Sequence, residues 1–285
     1  MEYAVSLSSM ICMGVTMLIS ICVPIGLFIY FRRAKKADIL PFFTGCGVMF
    51  LFALVLEAIC HQLVFASSAG TVILNNQLLY ALYGGAMAGL FEETGRLIAF
   101  RTVLRRRNGK DANALMYGAG HGGFEAIVLV GVTMIGNLIL CLQLNAGGET
   151  ALLSDLPADA AAQMETAIAT LRDTPSYAFL LSGVERISAI ALHISFSVLV
   201  WFSAKKKGAF RLYFLAVFLH FLVDAVVALL SGYSFPLLLT ELVVLILSAV
   251  SVLIAVAVWR NSSGAANPEL TTSGDSLAAN PDITE

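Results

Sequence analysis

Four histidines, several carboxylates and two arginines of this chain lie inside long apolar stretches. A charged side chain at the centre of a bilayer costs at least about 2.5–3.5 kcal/mol, so such groups turn toward a polar interior and mark function. Glu92, Glu93 and Arg96 fall in one stretch, and His121 and Glu125 in the next, among Gly118, Gly120, Gly122 and Gly123. Glu185, Arg186 and His193 share a third, and His220 and Asp224 a fourth. On a helix Glu92 and Arg96 stand at i,i+4 and Glu93 and Arg96 at i,i+3, so one guanidinium can hold one carboxylate of the pair. The other is left free to take a proton from water. The glycines around His121 let a neighbouring backbone or a substrate come close.

His121 with Glu125 and His220 with Asp224 repeat the i,i+4 spacing, and the aspartate can fix an imidazole tautomer or help hold a metal. Two chemistries fit the set. A catalytic zinc takes three protein ligands and one water, whose pKa it lowers to about 7, and His121, His193 and His220 are the candidate ligands if His193 turns inward. No H-E-x-x-H occurs, so the commonest zinc-protease signature is missing. In a metal-free scheme Glu92 and His121 activate the water while His220 and Asp224 stabilise the developing oxyanion. Residue types alone leave both open, and the roles of Glu125, Glu185 and Arg186 undefined. Glu57 and His61 fall near a span end, where reaching water costs little, and are placed outside the site.

The elements that must position these groups are membrane helices. Of 285 residues 59% are hydrophobic and 13% charged, with mean hydropathy +0.86, values that exclude an ordinary soluble domain. The net charge of −2 provides no basic footprint for nucleic acid. The five cysteines are odd in number and scattered through apolar runs, so no disulfide framework is expected. Apolar runs long enough to cross a bilayer occur near 5–31, 38–66, 77–104, 112–142, 175–203, 209–231 and 235–259. The expected fold is therefore all-α, a polytopic membrane protein of about seven transmembrane helices over residues 1–260. The first run has no lysine or arginine before it and is expected to be retained rather than cleaved as a signal peptide.

Lysines and arginines cluster at alternate span ends, as in Arg32–Lys36, Arg105–Lys110 and Lys205–Arg211, which places the N-terminus outside and the C-terminus in the cytoplasm of a multi-pass cell-membrane protein. Counted from those ends at about 1.5 Å per residue, Glu92, His121, His193 and His220 all come to a depth of about 12–18 Å. Agreement across four helices points to one shared site. The 143–174 loop carries an alanine-rich stretch with Met164, Ile168 and Leu171 at helical spacing, which predicts a surface helix. From Asn261 onward the composition predicts a disordered cytoplasmic tail over 261–285.

Glu92-Glu93-x-x-Arg96, Tyr117-x-x-x-His121 and His220-x-x-x-Asp224 resemble the three motifs of the CAAX-protease and bacteriocin-processing intramembrane proteases. EETGR at 92–96 followed by GHGGFE at 120–125 resembles more closely the YhfC family of intramembrane metalloproteases, related to the PrsW proteases. The arginine comes three residues after the second glutamate, where the CAAX-type pattern spaces it by one more. Asp224 stands where that pattern often has asparagine. Both departures favour the YhfC-like reading. The resemblance implies hydrolysis of peptide bonds in membrane-embedded or membrane-associated substrates. In it Glu92 is the base, His121 its partner or a metal ligand, and His220 with Asp224 a ligand or oxyanion group. A cation- or proton-coupled transporter would also need buried carboxylates and histidines, usually with internal repeats, and no repeat is visible. A non-catalytic binder of membrane peptides is the third alternative.

Overall fold

The computed structural model describes residues 4–154 and 156–263. Among the described residues every regular element is helical. α1 covers Leu7–Arg33, α2 Leu40–Phe65, α3 Ser68–Leu74, α4 Gln77–Arg101, α5 Ala112–Leu153, α6 Ala158–Asp173, α7 Ser176–Lys205, α8 Arg211–Gly232 and α9 Leu237–Ser262. Local chemistry sets several starts. The Ser6 and Asn76 side chains accept the Ser9 and Leu79 N–H groups at the heads of α1 and α4, satisfying donors that a helix start leaves free. Pro41 opens α2, where a missing N–H costs nothing.

Six helices, α1, α2, α5, α7, α8 and α9, are long and apolar enough to cross a membrane. The expected span at 77–104 is the 25-residue α4, long enough at about 1.5 Å per residue. Glu92, Glu93, Arg96 and Arg101 make it too polar to qualify on composition. It packs along α8 and against α2 and α7, with Glu92, Glu93 and Arg96 buried. α9 continues to Ser262, taking in the first two residues of the expected tail, and residues 264–285 lie outside the described residues.

The loop helix expected from the alanine-rich stretch is α6. It is docked rather than free, because Ile168 and Leu171 are buried with Met13 of α1, Cys141 and Leu144 of α5 and Phe179 of α7. α5 runs far beyond a bilayer thickness and breaks at Gly148, whose φ of +76° suits glycine. Both α2 and α5 widen into π turns, over Met49–Glu57 and Ala126–Gly131. The second begins directly after Glu125, and such turns recur at functional sites.

Glycine brings α5 against its neighbours. A Cβ on Gly120 would meet the Phe42 carbonyl oxygen at 2.0 Å, so the backbones of α2 and α5 are in contact. On the adjoining face a Cβ on Gly122 would come within 2.9 Å of His193 Cδ2. At the basic ends of the helices, Asp38 in the α1–α2 loop binds Lys110 at 2.7 Å and Arg107 at 3.3 Å. The Lys110 hydrogen bond is the largest of the effects that hold its carboxyl below the usual range.

Candidate active site inside the helical bundle

The polar residues of α4, α5, α7 and α8 meet in the bundle interior. Glu92, Glu93, Arg96, His121, His193 and His220 are all buried. Arg96 Nη1 holds both carboxylate oxygens of Glu93, the i,i+3 pairing, and Nη2 lies 3.3 Å from His193 Nδ1. Glu93 Oε1 also meets His220 Nδ1 at 2.8 Å. With Glu93 committed to Arg96, Nδ1 is the donor there.

Among the described residues no arginine pairs with Glu92. Its Oε2 lies 2.8 Å from His121 Nε2 and 3.8 Å from His193 Nδ1, and its Oε1 lies 3.9 Å from His220 Nε2. Three imidazoles from three helices thus surround one carboxylate. Ring centroids are 4.9 Å apart for His121 and His193 and 5.5 Å for His193 and His220. Asp224, the most exposed member, reaches His220 Nε2 at 3.4 Å.

Three residues without an assigned role form a second layer. Glu125 does not turn to His121, its i,i+4 neighbour. Its Oε2 meets His193 Nε2 at 2.5 Å and its Oε1 accepts Arg186 Nη1 at 2.7 Å. Arg186 in turn donates through Nε to Glu185 at 2.6 Å. His193 therefore donates Nε2–H to Glu125 and keeps a lone pair on Nδ1, the nitrogen toward Glu92. The Arg96 N–H at Nδ1 selects the same tautomer. Glu57 and His61 are outside this cluster, but not by reaching water: Glu57 is 7% exposed and pairs with His61 Nε2 at 3.1 Å, while His61 Nδ1 meets Tyr83 Oη at 2.9 Å.

The donor set suits a divalent metal, with one change from the three-histidine expectation. Glu92, His121 and His193 each offer an atom such that all three lie within 4.8 Å of one another, and His220 stands beside that group, anchored by Glu93. Two imidazoles and a carboxylate are a known catalytic zinc set, whose bonds of about 2.0–2.2 Å require only a small inward shift. Charge supports the fit: among the described residues Arg96 pairs with Glu93 and Arg186 with Glu125 and Glu185, so two arginines stand against these three carboxylates and Glu92 and Asp224. Uncompensated buried carboxylates are costly. His121 Nδ1 is buried with no hydrogen-bond partner.

A cavity of about 280 Å³ reaches the cluster, lined by Glu92, Glu125, Glu185, Arg186, His193, His220 and Asp224 together with apolar side chains such as Leu192, Val223, Val227 and Val244. It provides room for water and an apolar segment beside the carboxylate.

The chain is 34% identical over 251 residues to the uncharacterized membrane protein YhfC of Bacillus subtilis (strain 168), covering 87% of this chain and 95% of that one. No solved structure matches. A family model described as YhfC intramembrane metalloprotease matches residues 19–258, and this multi-pass membrane protein belongs to that family.

Proposed function

We propose that the protein is a metal-dependent intramembrane endopeptidase that hydrolyses peptide bonds of membrane-embedded or membrane-associated substrates. The observation that carries this reading is Glu92, a buried carboxylate without an arginine partner among the described residues, enclosed by His121, His193 and His220 and open to a cavity lined by polar and apolar side chains. A transporter would use such groups to pass a cation along a path, whereas here they close around a single point. A divalent metal, zinc by its donor set, would be held by Glu92, His121 and His193, and when bound would polarise the scissile carbonyl and acidify a water.

The chain's own residues do the rest. Glu93 and Arg96 neutralise each other and fix α4 against α8. His220, tied through Nδ1 to Glu93, turns Nε2 toward Glu92 Oε1 and Asp224, positioned to carry a proton to the leaving amine. Asp224, nearest the opening, orients that nitrogen. Leu192, Val223, Val227 and Val244 exclude bulk water and receive apolar substrate.

The test is metal content. Purified protein should contain close to one zinc per chain, and His121→Ala and His193→Ala should each lose it. Full activity in metal-free protein would refute the reading.

A further inference from the structure

A second cavity, of about 450 Å³, lies at the basic end of the bundle, away from the carboxylate cluster. That volume is within the ~300–1,000 Å³ of small-molecule sites. Its rim is formed where three helices end: Arg101 closes α4, Lys205 closes α7, and Phe210 precedes α8. Gly208, at φ +77°, reverses the chain between α7 and α8 and wraps Lys206 and Lys207 around the opening.

Arg101, Arg105, Lys205, Lys206 and Lys207 all line it. Asp111 holds Lys205 at 2.6 Å and accepts Trp201 Nε1 at 2.9 Å. Among the described residues the other four cations have no carboxylate partner. Arg101 lies over the Phe210 ring at 5.2 Å and Lys206 over Phe202 at 5.6 Å, contacts with ring faces that use none of their N–H groups for a protein hydrogen bond. Charge at a helix end follows from membrane topology alone, but a polar orphan does not. Ser203, 3% exposed, lines the cavity, and its hydroxyl is buried without a hydrogen-bond partner.

An oxygen-rich anion answers both features. It accepts the serine hydroxyl and the planar arginine fork while lysines act as point charges. Phe100, Trp201 and Phe210 add an aromatic wall suited to the boundary between headgroup and acyl chain. We infer that this cavity binds the phosphate headgroup of an anionic membrane lipid at the level where α4, α7 and α8 leave the bilayer. Basic pockets between transmembrane helices are a recognised form of headgroup site.

Native mass spectrometry and lipid titration on the full chain in nanodiscs test it, with phosphatidylglycerol, phosphatidylcholine and soluble glycerol phosphate as probes. One phosphatidylglycerol should be retained per chain in preference to phosphatidylcholine. Combining Arg105→Gln, Lys206→Gln and Lys207→Gln should weaken retention at least about tenfold, and Ser203→Ala alone by about tenfold, with the unfolding temperature unchanged. Arg33→Gln with Lys35→Gln, at the end of α1, should leave it intact. Equal losses in the cavity and control variants would reduce the effect to general surface attraction and overturn the site. So would unaltered retention in all variants. Displacement of the lipid by millimolar glycerol phosphate would overturn the lipid as occupant in favour of a soluble phosphate.

Discussion

Replacing Glu125 by glutamine keeps the side chain's size but removes the charge that faces His193 Nε2 at 2.5 Å and Arg186 Nη1 at 2.7 Å. The amide can present its nitrogen to His193 instead of its oxygen, and the ring is then no longer held in the tautomer whose Nδ1 lone pair faces Glu92 and Arg96. Losing such a partner costs ligand basicity and orientation, typically 10–100-fold in metal affinity, or about 1.4–2.7 kcal/mol. Glu185→Gln is the matched control, because Glu185 binds Arg186 without touching His193 or Glu92. Its effect should stay within about threefold. Competition between the purified protein and a chromophoric chelator for zinc reads both variants directly, and the cobalt-substituted spectrum reports whether His193 still binds. Wild-type affinity for Glu125→Gln, in a protein of unchanged unfolding temperature, would refute the tautomer argument.

Arg96→Met leaves the fully buried Glu93 carboxylate without its cation and should cost about 3–5 kcal/mol, read by thermal unfolding in detergent. His220→Gln should leave zinc content near wild type yet lower the cleavage rate by at least about a hundredfold, since His220 stands outside the group of Glu92, His121 and His193. Gly122→Ala puts a Cβ 2.9 Å from His193 Cδ2 and should reduce zinc affinity without unfolding the bundle. Asp38 is held below its ordinary value of 3.8, chiefly by the Lys110 hydrogen bond, so its contribution is present above that value and is lost as pH falls through the lower folded value. Asp38→Asn should therefore lower stability near neutral pH by about 0.2–1 kcal/mol, as for an exposed pair. In strong acid the two proteins should unfold alike.

The helices were legible because a bilayer demands about 20 apolar residues per crossing, and α1, α2, α5, α7, α8 and α9 satisfy that demand. α4 shows the limit of the rule: the residues that give it chemical interest also deprive it of a clean apolar window. Spacing within a helix offered Arg96 either Glu92 or Glu93, of which the structure pairs it with Glu93, and set His220 beside Asp224. It failed for Glu125, whose i,i+4 partner is His121 but whose actual partners, His193 and Arg186, are on α7. Pairing between helices depends on rotation about each axis, which no single-helix periodicity encodes. The same rotation places Glu92 with His121 and His193 and leaves His220 to Glu93. The reason given for setting Glu57 aside was wrong in a related way, since depth alone could not reveal that α2 turns it into the protein rather than toward water.

The most direct test of intramembrane proteolysis is capture of new carboxyl termini. Membranes containing the wild-type protein or Glu92→Gln are incubated in isotopically heavy water, with and without a zinc chelator, and peptide ends are identified by mass spectrometry. Wild type without chelator should yield labelled ends within or beside transmembrane segments of other membrane proteins, and Glu92→Gln or chelated samples should yield none above background. Equal labelling in wild type and Glu92→Gln would contradict the assignment of peptide-bond hydrolysis to this site.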